Sequence, residues 1–279
     1  MKTFDSVVAL AHEYGEQRLE EKKSFDSSVF LGTKHVFKVK RSDPGQTSKE
    51  RRVLDYVHAQ GSSKLRALLP RVVDEVALSD GQQVTIQTRM PGEKVVELSL
   101  RRSVALGSAL SELHALPAPD GVTEFEGDSE PSLPRYISRS ADRFVAKLSQ
   151  TVGPADLALA ERARVHLQER LNWFRSARIV VVHKDIFLEN LLFEGDVLTA
   201  IVDWDAAQTA PPEWEHSILR QRFPEAYSEI CSAYDGVLSE EGINLCALLQ
   251  SLRFWKSFPN DQVFADVQRR TITEILSHG

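Results

Sequence analysis

Between Val181 and Asp205 the chain reads V-V-H-K-D-I-F-L-E-N-L-L-F-E-G-D-V-L-T-A-I-V-D-W-D, and this stretch limits the possible folds more than any other. It opens on an apolar run, Ile179 to Val182, too short for a helix and β-branched enough for a buried strand. Polar groups then stand at fixed offsets: His183, Asp185 and Asn190. A second apolar run, Leu191 to Phe193, meets the turn Glu194-Gly195-Asp196, and a third strand from Val197 to Val202 ends on Asp203. If the last two runs pair as a hairpin, Asn190 enters it and Asp203 leaves it. Both side chains then emerge at one end, beside the loop that carries Asp185.

That arrangement suits phosphoryl transfer, which needs a carboxylate near the attacking hydroxyl and hard oxygen ligands that hold Mg²⁺ against the phosphates. The pattern H-x-D-x-x-x-x-N followed by a strand-borne Asp supplies all three and has the spacing of kinase catalytic loops. The plainer alternative is a turn rich in Asp and Asn, residues that turns favour.

With 279 residues, 42% hydrophobic and 27% charged, the chain can bury a sizeable core as one large domain or two modest ones. A net charge of −6 argues against a nucleic-acid partner held through phosphates. No apolar run approaches the ~18–20 residues that span a bilayer. The N-terminus has acids where a signal peptide's apolar core should continue, so a cytoplasmic protein without a membrane partner is expected. Cys231 and Cys246 lack metal-ligand spacing; a disulfide is conceivable, and reduced, buried thiols are the expected state. Oligomeric state stays open.

Residues 3–23 have a helical apolar face in Phe4, Val7, Val8, Ala11 and Tyr14. A polar loop through Ser28 precedes a β-hairpin turning at Gly32-Thr33-Lys34, with Val36, Lys38 and Lys40 on one face of its second strand and Phe37 and Val39 on the other. Lys38 is either a solvated strand lysine or the partner of a following helix that starts near Thr47. In that helix Glu50 fits a T-x-x-E capping box with Thr47 and equally fits a pair with Lys38. Residues 59–70 read as a loop with a short apolar turn. Arg71–Ala77 and Gln82–Met90 read as strands joined at Ser79-Asp80-Gly81. Helices are expected over 101–116, 135–150 and 154–176, with a mobile loop over 117–134. Past Pro211-Pro212 a helix is expected from near Trp214, and helices from there on break near Gly236, Gly242 and Pro259.

These residues resemble the aminoglycoside phosphotransferase superfamily, small-molecule kinases with a protein-kinase-like fold. The likeness runs through F-K-V-K-R with S-K-E-R-R-V-L, through L-S-E-L-H-A-L at Leu110–Leu116, and most specifically through H-K-D-I-F-L-E-N-L-L-F with I-V-D-W-D-A-A. It implies an α+β, two-lobed fold with a small antiparallel-sheet N-lobe and a larger, mainly helical C-lobe. The boundary falls at Met90-Pro91-Gly92: residues 1–91 for the nucleotide, 92–279 for the catalytic loop and the substrate helices. It further implies Asp185 as catalytic base, Asn190 and Asp203 as Mg²⁺ ligands, Lys38 on phosphate and Glu50 orienting Lys38. Ser27 and Ser28 in the loop before the hairpin, with Arg89 and Met90 at the linker, are the other expected contacts of ATP or GTP; Met90 reads equally as core filler.

This sequence departs from the family in three places. Lys184 replaces the Gly of H-G-D and either clashes with that loop geometry or reaches toward the γ-phosphate. A-P-P-E-W-E stands where many members have Gly-Asp-Pro, and S-F-D-S-S has no Gly. Absence of G-x-G-x-x-G, D-F-G and A-P-E argues against a protein substrate. No Lys or Arg occurs from Phe223 to Leu252, while Glu225, Glu229, Asp235, Glu240 and Glu241 do. With Asp205, Glu213 and Glu215 behind the metal-bearing strand, these acids point to a cationic acceptor, an aminoglycoside-like antibiotic or an amino alcohol. The alternatives are a metabolite kinase for a sugar, choline-like or homoserine-like acceptor, and a nucleotide-binding protein without turnover.

Overall fold

A computed structural model gives the fold for residues 2–23, 27–40, 48–78, 81–118 and 132–278. The expected loops at 41–47, 79–80 and 119–131, and the Thr47 half of the capping box, lie outside the described residues.

The N-terminal sheet is antiparallel, in the order β1-β2-β3-β5-β4 (Glu20–Lys23, Ser27–Leu31, His35–Lys40, Gln83–Thr88, Val72–Ala77). Alternation along β3 sends Phe37 and Val39 to one face, where Val7, Leu10 and Ala11 of α1 (Lys2–Glu13) cover them with Phe30, Val84 and Ile86. Lys38 therefore faces the other way. The register sets it opposite Val29 and Thr85.

α1 is shorter than its apolar periodicity suggests. Gly15, at φ +75°, turns the chain out of the helix. Glu16 is buried there, and its carboxylate accepts the backbone N–H groups of Thr33, Lys34 and His35 at 2.5, 2.7 and 2.9 Å. The carboxylate thus clamps the hairpin turn. The residues after it form the edge strand β1, whose sequence E-E-K-K has no alternation to reveal it.

The helix carrying Glu50 is α2 (Ser48–Gln60), whose Val53, Leu54 and Val57 are fully buried in a core shared with the C-terminal lobe. Residues read as a loop hold a short helix, α3 (Ser63–Ala67), whose N-cap Ser62 accepts the N–H of Leu65. The chain leaves the sheet at Thr88 and turns at Gly92, φ +97°, where an added Cβ would collide with Thr199. It then pairs as β6 (Glu93–Lys94) with β8 (Leu191–Glu194), which pairs with β9 (Val197–Ile201).

The larger lobe is helical. α4 (Leu100–His114), α5 (Leu133–Leu148), α6 (Pro154–Glu169) and α7 (Leu171–Ser176) precede β7 (Val180–Val182), which pairs with β10 (Gln208–Ala210). α8 starts at Pro212 rather than near Trp214, because proline fits the first helical turn. α8 (Pro212–Arg222) is followed by α9 (Tyr227–Ser232), α10 (Glu240–Ser257) and α11 (Gln262–His278). Trp214, Trp255 and Phe174 anchor their common core.

Gly242 does not break the helix. It lies in the first turn of α10 against the Trp173 ring, where no Cβ would fit. Cys231 and Cys246 are free thiols. No described helix is long and apolar enough to cross a membrane.

Candidate active site

The hairpin β8–β9 does what its sequence implies. The N–H of Val202 bonds the carbonyl of Asn190 at 2.9 Å, so Asn190 and Asp203 stand at the same open end. The Asn190 amide donates to the carbonyl of Asp185 at 2.9 Å and to its carboxylate at 3.1 Å. Lys38 reaches across from the other lobe. Its ammonium lies 2.8 Å from Glu50, 2.8 Å from Asp203, 165 positions away in sequence, and 3.7 Å from Asp205.

Burial alone would push the Lys38 pKa down, but Glu50, Asp203 and Asp205 together hold it above the ordinary lysine value. Glu50 is fully buried and also accepts the Trp204 N–H at 3.2 Å. Ligand oxygens of Glu50, Asp203 and Asp205 come within 4.8 Å of one another around one lysine, leaving a surplus of negative charge. Asp203 and Asp205 are 42% and 37% exposed, so they are open to a further cation. Carboxylate and amide oxygens of this kind suit Mg²⁺.

Backbone geometry makes the convergence possible. Asp203 and Lys184 both sit at φ 68°. For non-glycine residues that left-handed conformation costs about 1–3 kcal/mol and persists only where the surroundings enforce it. Two groups enforce it at Lys184. The fully buried Glu215 on α8 accepts the N–H of His183 at 2.6 Å and of Lys184 at 2.9 Å. The Lys184 side chain bonds Gln208 at 2.5 Å and lies 5.2 Å from the Trp214 ring centroid. Lys184 thus takes the conformation that glycine would take freely, without a clash, and its ammonium is engaged by Gln208 and Trp214.

His183 is held at both ring nitrogens: the N–H of Asp185 points to its Nδ1 at 3.3 Å, and its Nε2 lies 3.0 Å from the Val202 carbonyl. Its ring meets the Trp204 ring edge-on with centroids 4.6 Å apart. The Asp185 pKa is raised, by burial first and then by Asp203, against the pull of His183 and Asn190.

Several expected contacts lie elsewhere. Glu213 and Glu215 do not line a substrate wall: Glu215 holds the His183–Lys184 loop from inside, and Glu213, also buried, accepts the Ser239 N–H at 3.0 Å. Their positions at the start of α8, packed on β7, turn both inward. Of the more distant acids, Glu240 pairs with Arg220 and Glu241 lies 4.0 Å from Arg170. Arg89 gives its backbone N–H to Lys34 and its guanidinium to the Gly32 carbonyl, so both bind the hairpin turn. Met90 is partly buried with its sulfur 4.0 Å from the Thr88 hydroxyl. Ser27 and Ser28 open β2, across from Lys40 and Val39. Sequence reading missed Glu16 and the loop brace at Glu215, because each acts on backbone groups far away in the chain.

A sheet lobe whose lysine meets an Asp-bearing hairpin of a helical lobe defines a protein-kinase-like fold. The chain belongs to the phosphotransferase enzyme family, whose profile matches residues 17–248. One relative is a homoserine kinase of Beijerinckia indica subsp. indica, 29% identical over 44% of this chain and 36% of its own length. Another is a homoserine kinase of Methylocella silvestris, 25% identical over 65% of this chain and 53% of its own. The match thus spans about a third to a half of these relatives. In fold, the chain is similar to a thermostable mutant of aminoglycoside phosphotransferase APH(4)-Ia in complex with ADP and hygromycin B. The TM-score is 0.72 at 18% identity, over 97% of each chain.

Proposed function

We propose that the protein transfers the γ-phosphate of ATP, with GTP as the alternative donor, to a hydroxyl of a small molecule. Residues 1–91 form the nucleotide side and 92–279 the catalytic and acceptor side. The observation that carries this reading is the Lys38 ammonium held between Glu50 of its own lobe and Asp203 of the other. In this reading Glu50 orients Lys38 toward the phosphates. Asn190 and Asp203 hold Mg²⁺, which neutralises charge on the phosphates when bound.

Asp185 orients the acceptor hydroxyl and takes its proton. The hydroxyl oxygen attacks the γ-phosphorus, the bond to the β,γ-bridging oxygen breaks, and ADP leaves. Asn190, bonded to the Asp185 carboxylate, keeps that carboxylate aimed, and most of the catalysis is positioning and charge neutralisation.

Two of the acids expected to favour a cationic acceptor, Glu213 and Glu215, are buried and cannot meet it, while Asp205 lies 3.7 Å from Lys38 and is partly exposed. An acceptor of the kind named for the relatives, a small hydroxy amino acid, fits the same reading.

The test follows ADP release in the parent and in Asp185→Asn, with Mg·ATP binding measured by thermal shift. Retained binding with turnover about 10²–10⁴-fold lower is expected. Equal turnover in both proteins refutes the role of Asp185. Nucleotide binding without any turnover in the parent supports the non-catalytic alternative.

A further inference from the structure

The run without Lys or Arg, Phe223 to Leu252, is bounded by Arg222 and Arg253, and the fold brings these two ends back together beside the catalytic loop. Arg222 closes α8. Its guanidinium carbon lies 3.9 Å from the ring centroid of Phe187, two residues past Asp185, and 5.8 Å from that of Phe254. Arg253, on α10, lies 5.7 Å from the same Phe254 ring. Two guanidinium groups therefore share one aromatic platform at the Asp185 side of the cleft.

Neither has a matching acid. Among the described residues no carboxylate comes within ion-pair distance of Arg222 or Arg253, although other arginines of this lobe, Arg164, Arg220 and Arg269, all have one. Arg222 is exposed and Arg253 half-buried, so solvent and solutes reach both. Burial lowers the Arg222 pKa, and Asp185 and Glu189 act against that, which puts both acids within its electrostatic range. Asp185 in turn feels Arg253. The positive field extends outward: Arg143 and Lys147 of α5 act with Arg253 on Lys256, whose pKa falls through burial first and these neighbours second.

Stacking on a ring leaves the in-plane N–H donors of a guanidinium for an oxyanion, which it grips with two parallel bonds. We propose that Arg222 and Arg253, over Phe187 and Phe254, form an oxyanion subsite for the acceptor, so that the acceptor is a small alcohol bearing a carboxylate or a phosphate and not a polyamine. This deepens the phosphotransfer reading and rests on it. The anion is held on the face from which Asp185 receives the hydroxyl, while Phe187 and Phe254 contact its carbon skeleton.

The first arm of the test is thermal shift with Mg²⁺ and a non-hydrolysable ATP analogue filling the donor site. Malonate, inorganic phosphate and putrescine are then added separately. Malonate or phosphate is expected to raise the melting temperature, with the shift growing as the logarithm of concentration above Kd, malonate alone marking a carboxylate site and phosphate alone a phosphate site. The shift is expected to vanish in Arg222→Gln and Arg253→Gln and to return in part in Arg222→Lys, whose melting temperature without added anion reports that it is folded. The second arm compares hydroxy acids of three to six carbons, their methyl esters and the matching amino alcohols as acceptors. Hydroxy acids are expected to be preferred, with KM raised about 10–100-fold by either Gln substitution, the factor for losing a charged hydrogen bond.

Stabilisation by putrescine, preference for the amines, or an anion shift surviving both substitutions overturns the proposal. So does the absence of any anion shift once the nucleotide analogue is seen to bind. An analogue that does not bind overturns the phosphotransfer reading itself, and this subsite with it.

Discussion

Glu215→Gln probes how the His183–Lys184 loop is held, because the Glu215 carboxylate meets that loop's backbone and, beyond it, His114 of α4. The carboxylate accepts N–H bonds from His183 at 2.6 Å and Lys184 at 2.9 Å, one on each oxygen, in full burial. Burial pushes its pKa up, yet His114, 3.8 Å away, and His183 hold it below the usual value, so it is ionised at neutral pH. Glutamine has one acceptor oxygen. The substitution keeps one neutral bond, loses two charge-assisted ones worth about 1.5–3 kcal/mol each, and turns an NH₂ toward a backbone N–H. An amide is easier to bury than a carboxylate, which offsets part of the loss. A net destabilisation of about 2–4 kcal/mol results, a large share of the roughly 5–15 kcal/mol that holds a domain folded.

Urea unfolding reads this directly. The same variant should lose turnover while Mg·ATP affinity stays within about twofold, since Lys38, Glu50 and Asp203 are untouched. Adding Lys184→Gly relieves the strain at φ 68° but gives up the bond to Gln208, so it should change stability by no more than about 1 kcal/mol further. A stability change under about 0.5 kcal/mol, or lost nucleotide binding at unchanged stability, refutes the assignment of Glu215 as a brace.

Two further outcomes follow from the same structure. Lys38→Met leaves Glu50 buried without its cation and should cost about 3–5 kcal/mol in urea unfolding, with much of it recovered by Lys38→Met/Glu50→Leu; an additive double variant would contradict the pair. His216 is buried neutral, its pKa lowered to about 3 by desolvation and then by His114. The unfolded chain binds a proton there below about pH 6.5 and the folded one does not, so stability should fall by about 1.4 kcal/mol per pH unit between 6.5 and 3. In His216→Phe that slope should flatten, and an unchanged pH profile of chemical unfolding contradicts it.

What the sequence disclosed was mostly local. The hairpin carrying Asn190 and Asp203 was legible because its strands are joined by only two residues, and turn chemistry at Gly195 marks the join. Phe37 and Val39 could be told from Lys38 by alternation alone. Features set by distant contacts were not legible. Glu16 and Glu215 look like surface acids until the backbone N–H groups they serve are brought to them. Gly242 looks like a helix breaker until Trp173 is packed on it. The interior of the acid-rich run is what the sequence displays, whereas the fold sets its two bounding arginines against Phe187 and Phe254 and pairs Glu240 with Arg220. Lys184 could be noticed as a substitution for glycine, but its left-handed backbone and its bond to Gln208 depend on α8 and β10.

The central claim is that side chains from two lobes gather on one magnesium-bound triphosphate. A crystal structure with Mg²⁺ and a non-hydrolysable ATP analogue tests it most directly. The account predicts the metal about 2.0–2.1 Å from oxygens of Asn190 and Asp203, with Lys38 on a phosphate oxygen and the γ-phosphate facing Asp185. A nucleotide seated elsewhere, or a metal that avoids Asn190 and Asp203, would contradict it.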